Sequence, residues 1–178
     1  MRVVNRIVAG LVSSACALAL GALSENLYAQ AKPKLTKAVQ KSLAAAQEAM
    51  KKKNYGECTA KAREAEAASS GSADDNFAIA EIMSFCLLQQ RDYAAAAKYI
   101  EMSLESGKLA SDQVPAKVRA LAQISYQNKN YAKAIEYGNR AVKGGYADGD
   151  MYVLIGQAYY LLGDNKSTYR VMNDYISS

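Results

Sequence analysis

The sequence predicts an all-α chain built from about four antiparallel helix–turn–helix units. Three observations predict it. Helix formers dominate the 178 residues and only 2 prolines interrupt them, a composition that favours helices over strands. A short motif recurs at a fixed interval: NYGEC begins at Asn54, DYAAA at Asp92 and NYAKA at Asn130, so Tyr55, Tyr93 and Tyr131 stand 38 residues apart. Small residues keep the same register, first at Cys58, Ala96 and Ala134 and again at Ala65, Ser103 and Ala141. A step of 34 residues from Tyr131 reaches Asn165 in GDNKSTYRVMNDY, a weaker fourth occurrence with Thr168 and Tyr175 at the two small positions.

Before the first unit, Arg2 and Arg6 lead into IVAGLVSSACALALGAL, and Ala29-Gln30-Ala31 follows. A positive start, an apolar run and an A-x-A end predict a secretory signal peptide over residues 1–31, leaving 32–178 as the repeat domain. Uncleaved, the same run would anchor the chain in a membrane. Cys16 as a lipid-bearing cysteine is a third reading, against which stand Ser13 and the apolar residues that continue past Cys16. Residues 32–35 are expected to fray, and Thr36 to cap the first helix.

Each unit then needs a helix upstream of its tyrosine. Ala45–Ala46, Met83–Ser84, Leu121–Ala122 and Ile155–Gly156 repeat an apolar–small pair, followed by Ala49, Leu87, Ser125 and Tyr159. Offsets of three and four put these residues on one helical face. The turns KKN, QRD, NKN and GDN separate the two helices. SSGSADD supplies Asp74 or Asp75 as the next cap, Pro115 suits a first helical turn, and GGYADG precedes the last pair. The predicted units are 38–70, 76–108, 115–146 and 149–178. Their small residues face each other, because helix axes near the short end of the usual ~8–10 Å admit Ala, Gly or Ser but not Leu.

LAQISYQNKNYAKAIEYGNRAV (121–142) and IGQAYYLLGDN (155–165) carry this pattern most fully, and it resembles the tetratricopeptide repeat, a helix–turn–helix unit of about 34 residues. The likeness runs from 38 to 177. Ser42, Ala80, Val118 and Tyr152 stand where that family often has Trp, and Ser70, Lys108 and Tyr146 where it often has Pro. The resemblance implies a right-handed superhelix whose first helices line a concave groove that binds a peptide or a protein. Carried onto this chain, the groove positions begin with Gln47, Met50 and Lys51, then Glu81, Phe85, Leu88 and Gln89. Arg119, Gln123, Tyr126 and Gln127 follow, then Val153, Gln157, Tyr160 and Leu161. Gln amides can bond an extended backbone, and Tyr gives contact area at low entropic cost. Only Lys51 and Arg119 are basic there, too few for a clamp on a C-terminal carboxylate.

Catalysis finds little support. The chain has no histidine, which excludes histidine-based triads and most zinc sites. No carboxylate is expected in an apolar setting that would tune it for proton transfer. Asp148 and Asp150 flank Gly149 without the spacing of a calcium loop. Neither an enzyme, a cofactor nor a metal is therefore expected. The net charge is +5, and removal of Arg2, Arg6 and Glu25 with the signal leaves +4. Lysines 51–53 are the only dense cluster, so nucleic acid is not an expected partner.

The expected function is an exported, periplasmic or secreted, non-catalytic adaptor in a cell-envelope complex. The alternatives are a self-assembling structural subunit and, behind it, an enzyme accessory domain. Signal removal takes Cys16 away, leaving Cys58 and Cys86 to pair in an oxidising compartment or to pack as buried thiols. Tyr169, Met172 and Ile176 repeat the stripe of Ile135, Gly138 and Val142, which makes the last helix an expected contact surface for a second copy or a partner.

Overall fold

The computed structural model describes residues 34–177. The predicted signal peptide, Cys16 and Ser178 lie outside the described residues. Within them the chain forms eight helices and no strand: α1 (Lys37–Lys51), α2 (Tyr55–Ala68), α3 (Ala73–Gln89), α4 (Tyr93–Glu105), α5 (Val114–Gln127), α6 (Tyr131–Lys143), α7 (Gly149–Leu161) and α8 (Asn165–Ser177). Each packs chiefly on its neighbours in sequence, and α1 also meets α3 as α5 meets α7. The all-α repeat expectation holds.

The turn inside each unit is the same four times. Lys53, Arg91, Lys129 and Gly163 have φ of 57°, 62°, 59° and 79°. Their N–H groups reach back to the carbonyls of Met50, Leu88, Tyr126 and Tyr160, and the next N–H bonds those of Ala49, Leu87, Ser125 and Tyr159. This paired closure satisfies carbonyls that a helix end leaves open. The residue after it, Asn54, Asp92, Asn130 or Asp164, accepts the N–H of Glu57, Ala95, Lys133 or Ser167 through its side chain. One residue triplet thus ends one helix and caps the next.

Within a unit the small residues meet as expected. Ala46 and Cys58, Ala122 and Ala134 are fully buried pairs in register, and the Thr168 hydroxyl donates to the Gly156 carbonyl at 3.4 Å. Gly138 serves a different contact. A Cβ there would collide with Ile155 of the following unit, so its smallness admits α7 rather than α5.

Two start signals are corrected. Ser72, not Asp74 or Asp75, caps α3 by accepting the Asp75 N–H, which starts the helix at Ala73. Thr36 stands at the cap position of α1, but its hydroxyl makes no capping bond. Residues 34–36 are also pinned rather than frayed. The N–H groups of Lys34 and Thr36 donate to the carboxylates of Asp74 and Asp75, both at 3.0 Å. Those carboxylates lie in the first turn of α3, where the helix dipole favours negative charge.

Cys58 on α2 and Cys86 on α3 form a disulfide with Cα atoms 6.3 Å apart, within bridging range. The buried face of α2 is otherwise Thr59, Ala62 and Ala65, so it has little apolar area with which to hold α3. Closing the segment between the cysteines contributes about 3–4 kcal/mol in the chain-entropy model.

Two outcomes follow. Ala134→Leu destabilises by about 1–3 kcal/mol through overpacking, whereas Ala132→Leu, on the exposed side of the same helix, leaves the melting temperature nearly unchanged. Cys58→Ala with Cys86→Ala lowers the unfolding free energy by about 3–4 kcal/mol in chemical denaturation.

Candidate interaction surface

First helices of successive units touch through side chains. Glu81 of α3 meets Lys117 of α5 at 2.6 Å. Arg119 of α5 pairs with Asp148, the cap of α7, at 2.7 Å, and the Tyr126 hydroxyl of α5 donates to Gln157 Oε1 of α7 at 3.1 Å. Side chains of α5 and α7 therefore form one continuous surface.

The predicted groove residues divide by exposure. Gln89, Gln127, Tyr160 and Leu161 are exposed, while Gln47, Met50, Phe85, Arg119, Gln123, Tyr126, Val153 and Gln157 are half-buried. Phe85 packs edge-on against Tyr55 with ring centroids 6.3 Å apart, and Tyr126 does the same with Tyr131 at 5.5 Å. Lys51 is exposed and pairs with Glu48. Burial, with the neighbouring Tyr131, pushes the Tyr126 hydroxyl above its ordinary pKa, so it remains a donor to Gln157. Burial alone would raise the Asp148 carboxyl, but Arg119 and the Met151 N–H outweigh it and hold the group below its usual range.

Glu81 and Leu88 are corrections, since both are buried rather than on the surface. The expectation that no carboxylate is buried is corrected with them: Glu81 is 5% exposed and Asp75 fully enclosed. The cause is one residue. Lys117 occupies the register position of Ile79 in α3 and Met151 in α7, both buried, and is itself only 6% exposed. An ammonium at an aliphatic site needs a carboxylate. Glu81 turns inward to meet it and also accepts the hydroxyl of buried Ser103 on α4. Equal spacing from Ile79 and Met151 marks Lys117 as a charged residue on an apolar face, the one sequence signal that points to this cluster.

The second helices are bridged as well. The Tyr99 hydroxyl of α4 donates to Glu66 Oε2 of α2 at 3.1 Å, and that of Tyr137 of α6 donates to Glu101 of α4. Lys133 bonds the same Glu101 carboxylate at 2.8 Å. It lowers the Glu101 pKa ahead of Tyr137, whereas burial, then Glu101, raises that of Tyr137. Tyr99 and Tyr137 are 38 residues apart, so the repeat register itself marks them.

Among the described residues no helix is long and apolar enough to cross a membrane, and no group of three or more His, Cys, Asp or Glu could hold a metal ion. No protein-family model matches the chain, nor does any curated protein.

The buried pair sets its own test. Lys117→Met strands Glu81 and destabilises by about 3–5 kcal/mol. Adding Glu81→Leu, which reproduces Leu43 at the matching place in α1, restores most of the loss in thermal unfolding.

Proposed function

We propose that the chain is an exported, non-catalytic adaptor of tetratricopeptide-like fold that binds a peptide or protein partner along its first helices, within a cell-envelope complex. The observation that carries the reading is the joined surface of α5 and α7. There Gln123, Tyr126, Gln127, Gln157 and Tyr160 offer amides and hydroxyls beside ring surface, and the Tyr126–Gln157 bond holds two of them in place. Such a set suits an extended backbone with mixed side chains. The right-handed superhelix and the concave groove belong to this reading. Export rests on the residue 1–31 pattern, and the buried Cys58–Cys86 disulfide supports it, because such bonds persist in oxidising compartments. The absence of catalysis is consistent with Glu81 and Asp148, two carboxylates of this surface, each being paired with a cation.

Tyr160 is the cleanest probe, being 65% exposed, whereas Tyr126 also links α5 to α6 and α7. Partners retained from envelope extract on immobilised wild-type protein are identified by mass spectrometry and then titrated against variants. Tyr160→Ala and Gln157→Ala each weaken binding by about 1–2 kcal/mol with unchanged helical circular dichroism. A partner bound equally by wild type and both variants overturns the reading. N-terminal sequencing of the exported chain begins at Lys32.

A further inference from the structure

The large apolar side chains exposed among the described residues all fall in one unit. They are Tyr160, Leu161, Leu162, Tyr169, Tyr175 and Ile176. On α8 the outward stripe is Tyr169, Met172 and Ile176. The matching residues of α6, Ile135, Gly138 and Val142, lie 34 positions earlier and are buried or half-buried, with Met151 and Ile155 of α7 packed beside Gly138. On α8 the same face is open, with Tyr169 76% and Ile176 83% exposed.

The chain's own joints show what covers such a face: a helix carrying aliphatic side chains four residues apart. In α7 these are Met151 and Ile155, and in α3 Ile79 and Met83, all buried. The first helix of a second copy is a poor substitute, because the matching residues of α1 are Lys41, which is exposed, and Ala45. Open head-to-tail growth would set an ammonium against Tyr169 and Ile176. The α8 stripe, in contrast, fits itself. Two α8 helices run antiparallel about a twofold axis between Met172 and Asn173 place Tyr169 of each against Ile176 of the other. Arg170 and Asp174, both exposed, lie to one side of the stripe and carry opposite charges, so the approach brings no like-charge block together.

We infer that a second copy covers this face, and that the chain forms a closed tail-to-tail dimer through α8. The contact is isologous, each surface patch meeting its own copy, so assembly stops at two. With a single helix pair at its centre the interface belongs to the small, reversible class. It leaves the α5–α7 surface untouched and does not depend on the binding role proposed for it.

Sedimentation velocity of the purified chain from about 1 to about 500 µM, a range that spans weak association, shows a monomer converting to a dimer. Tyr169→Asp and Ile176→Asp each weaken the dimer at least tenfold with unchanged helical circular dichroism, since both side chains are exposed in the monomer. Asn173→Cys, beside the twofold axis, yields a covalent dimer under mild oxidation in excess of any formed by wild type, and Lys41→Cys does not. A monomer at every concentration overturns the proposal, as does a dimer indifferent to both Asp variants. Species larger than dimers, with Lys41→Cys crosslinking to Asn173→Cys in mixed samples, would mean head-to-tail assembly and overturn it too.

Discussion

Everything else in the molecule depends on the reversal between the two helices of each unit. Three of the four reversals place a non-glycine residue, Lys53, Arg91 or Lys129, in the left-handed region, where an L-residue costs roughly 1–2 kcal/mol. The conformation persists because the backbone bonds and the Asn or Asp cap beside it over-determine it. Once reversed, the chain brings Ala, Cys, Ser or Gly of one helix against Ala, Cys or Thr of the other. Backbones that approach so closely leave little side-chain area inside a unit, so no unit can stand alone. Stability must come from the joints between units.

Those joints use three different chemistries at comparable places. Units one and two are tied covalently through Cys58 and Cys86. Units two and three enclose the ion pair of Glu81 and Lys117 with the Ser103 hydroxyl. Units three and four fit Ile155 against Gly138. Each suits the area available. The alanine-rich α2 offers little apolar surface, and the disulfide offsets that shortage. Lys117 would strand a buried charge against any helix lacking Glu81, so it discriminates among orders of packing more than it adds stability. The third joint relies on shape, since only glycine at 138 gives Ile155 room.

The repeat, the turns and the small–small contacts were legible because each is a local feature multiplied by a register. Tyr55, Tyr93 and Tyr131 announce the period, and the same count finds Lys53, Arg91, Lys129 and Gly163. What escaped involves exchange between distant positions. Glu81 belongs to the surface by its helical phase and is drawn inward only because Lys117, 36 residues on, needs it. Asp74 and Asp75 read as caps by local rules, yet Ser72 takes that role and frees both carboxylates for Lys34 and Thr36. Nothing in a local pattern says which of several capable residues a neighbouring segment will claim. The candidate groove is legible only as a set of outward positions. Which of its members are free to bind depends on bonds such as Tyr126 to Gln157, which no spacing rule reveals.

The same reasoning explains why binding and stability separate along this molecule. Residues that join units, such as Tyr126, Arg119 and Glu81, are held by partners on another helix, so changing them alters the array before it alters any ligand. Residues beyond the joints, Tyr160 and Gln127 on the first helices and Tyr169 and Ile176 on α8, spend little of their surface on folding. In a repeat array, where each unit touches only its neighbours, such side chains are available for recognition without loosening the fold. Their concentration toward the last unit reflects the same rule, because a unit with one covered side keeps on its other side the residues that inner units bury.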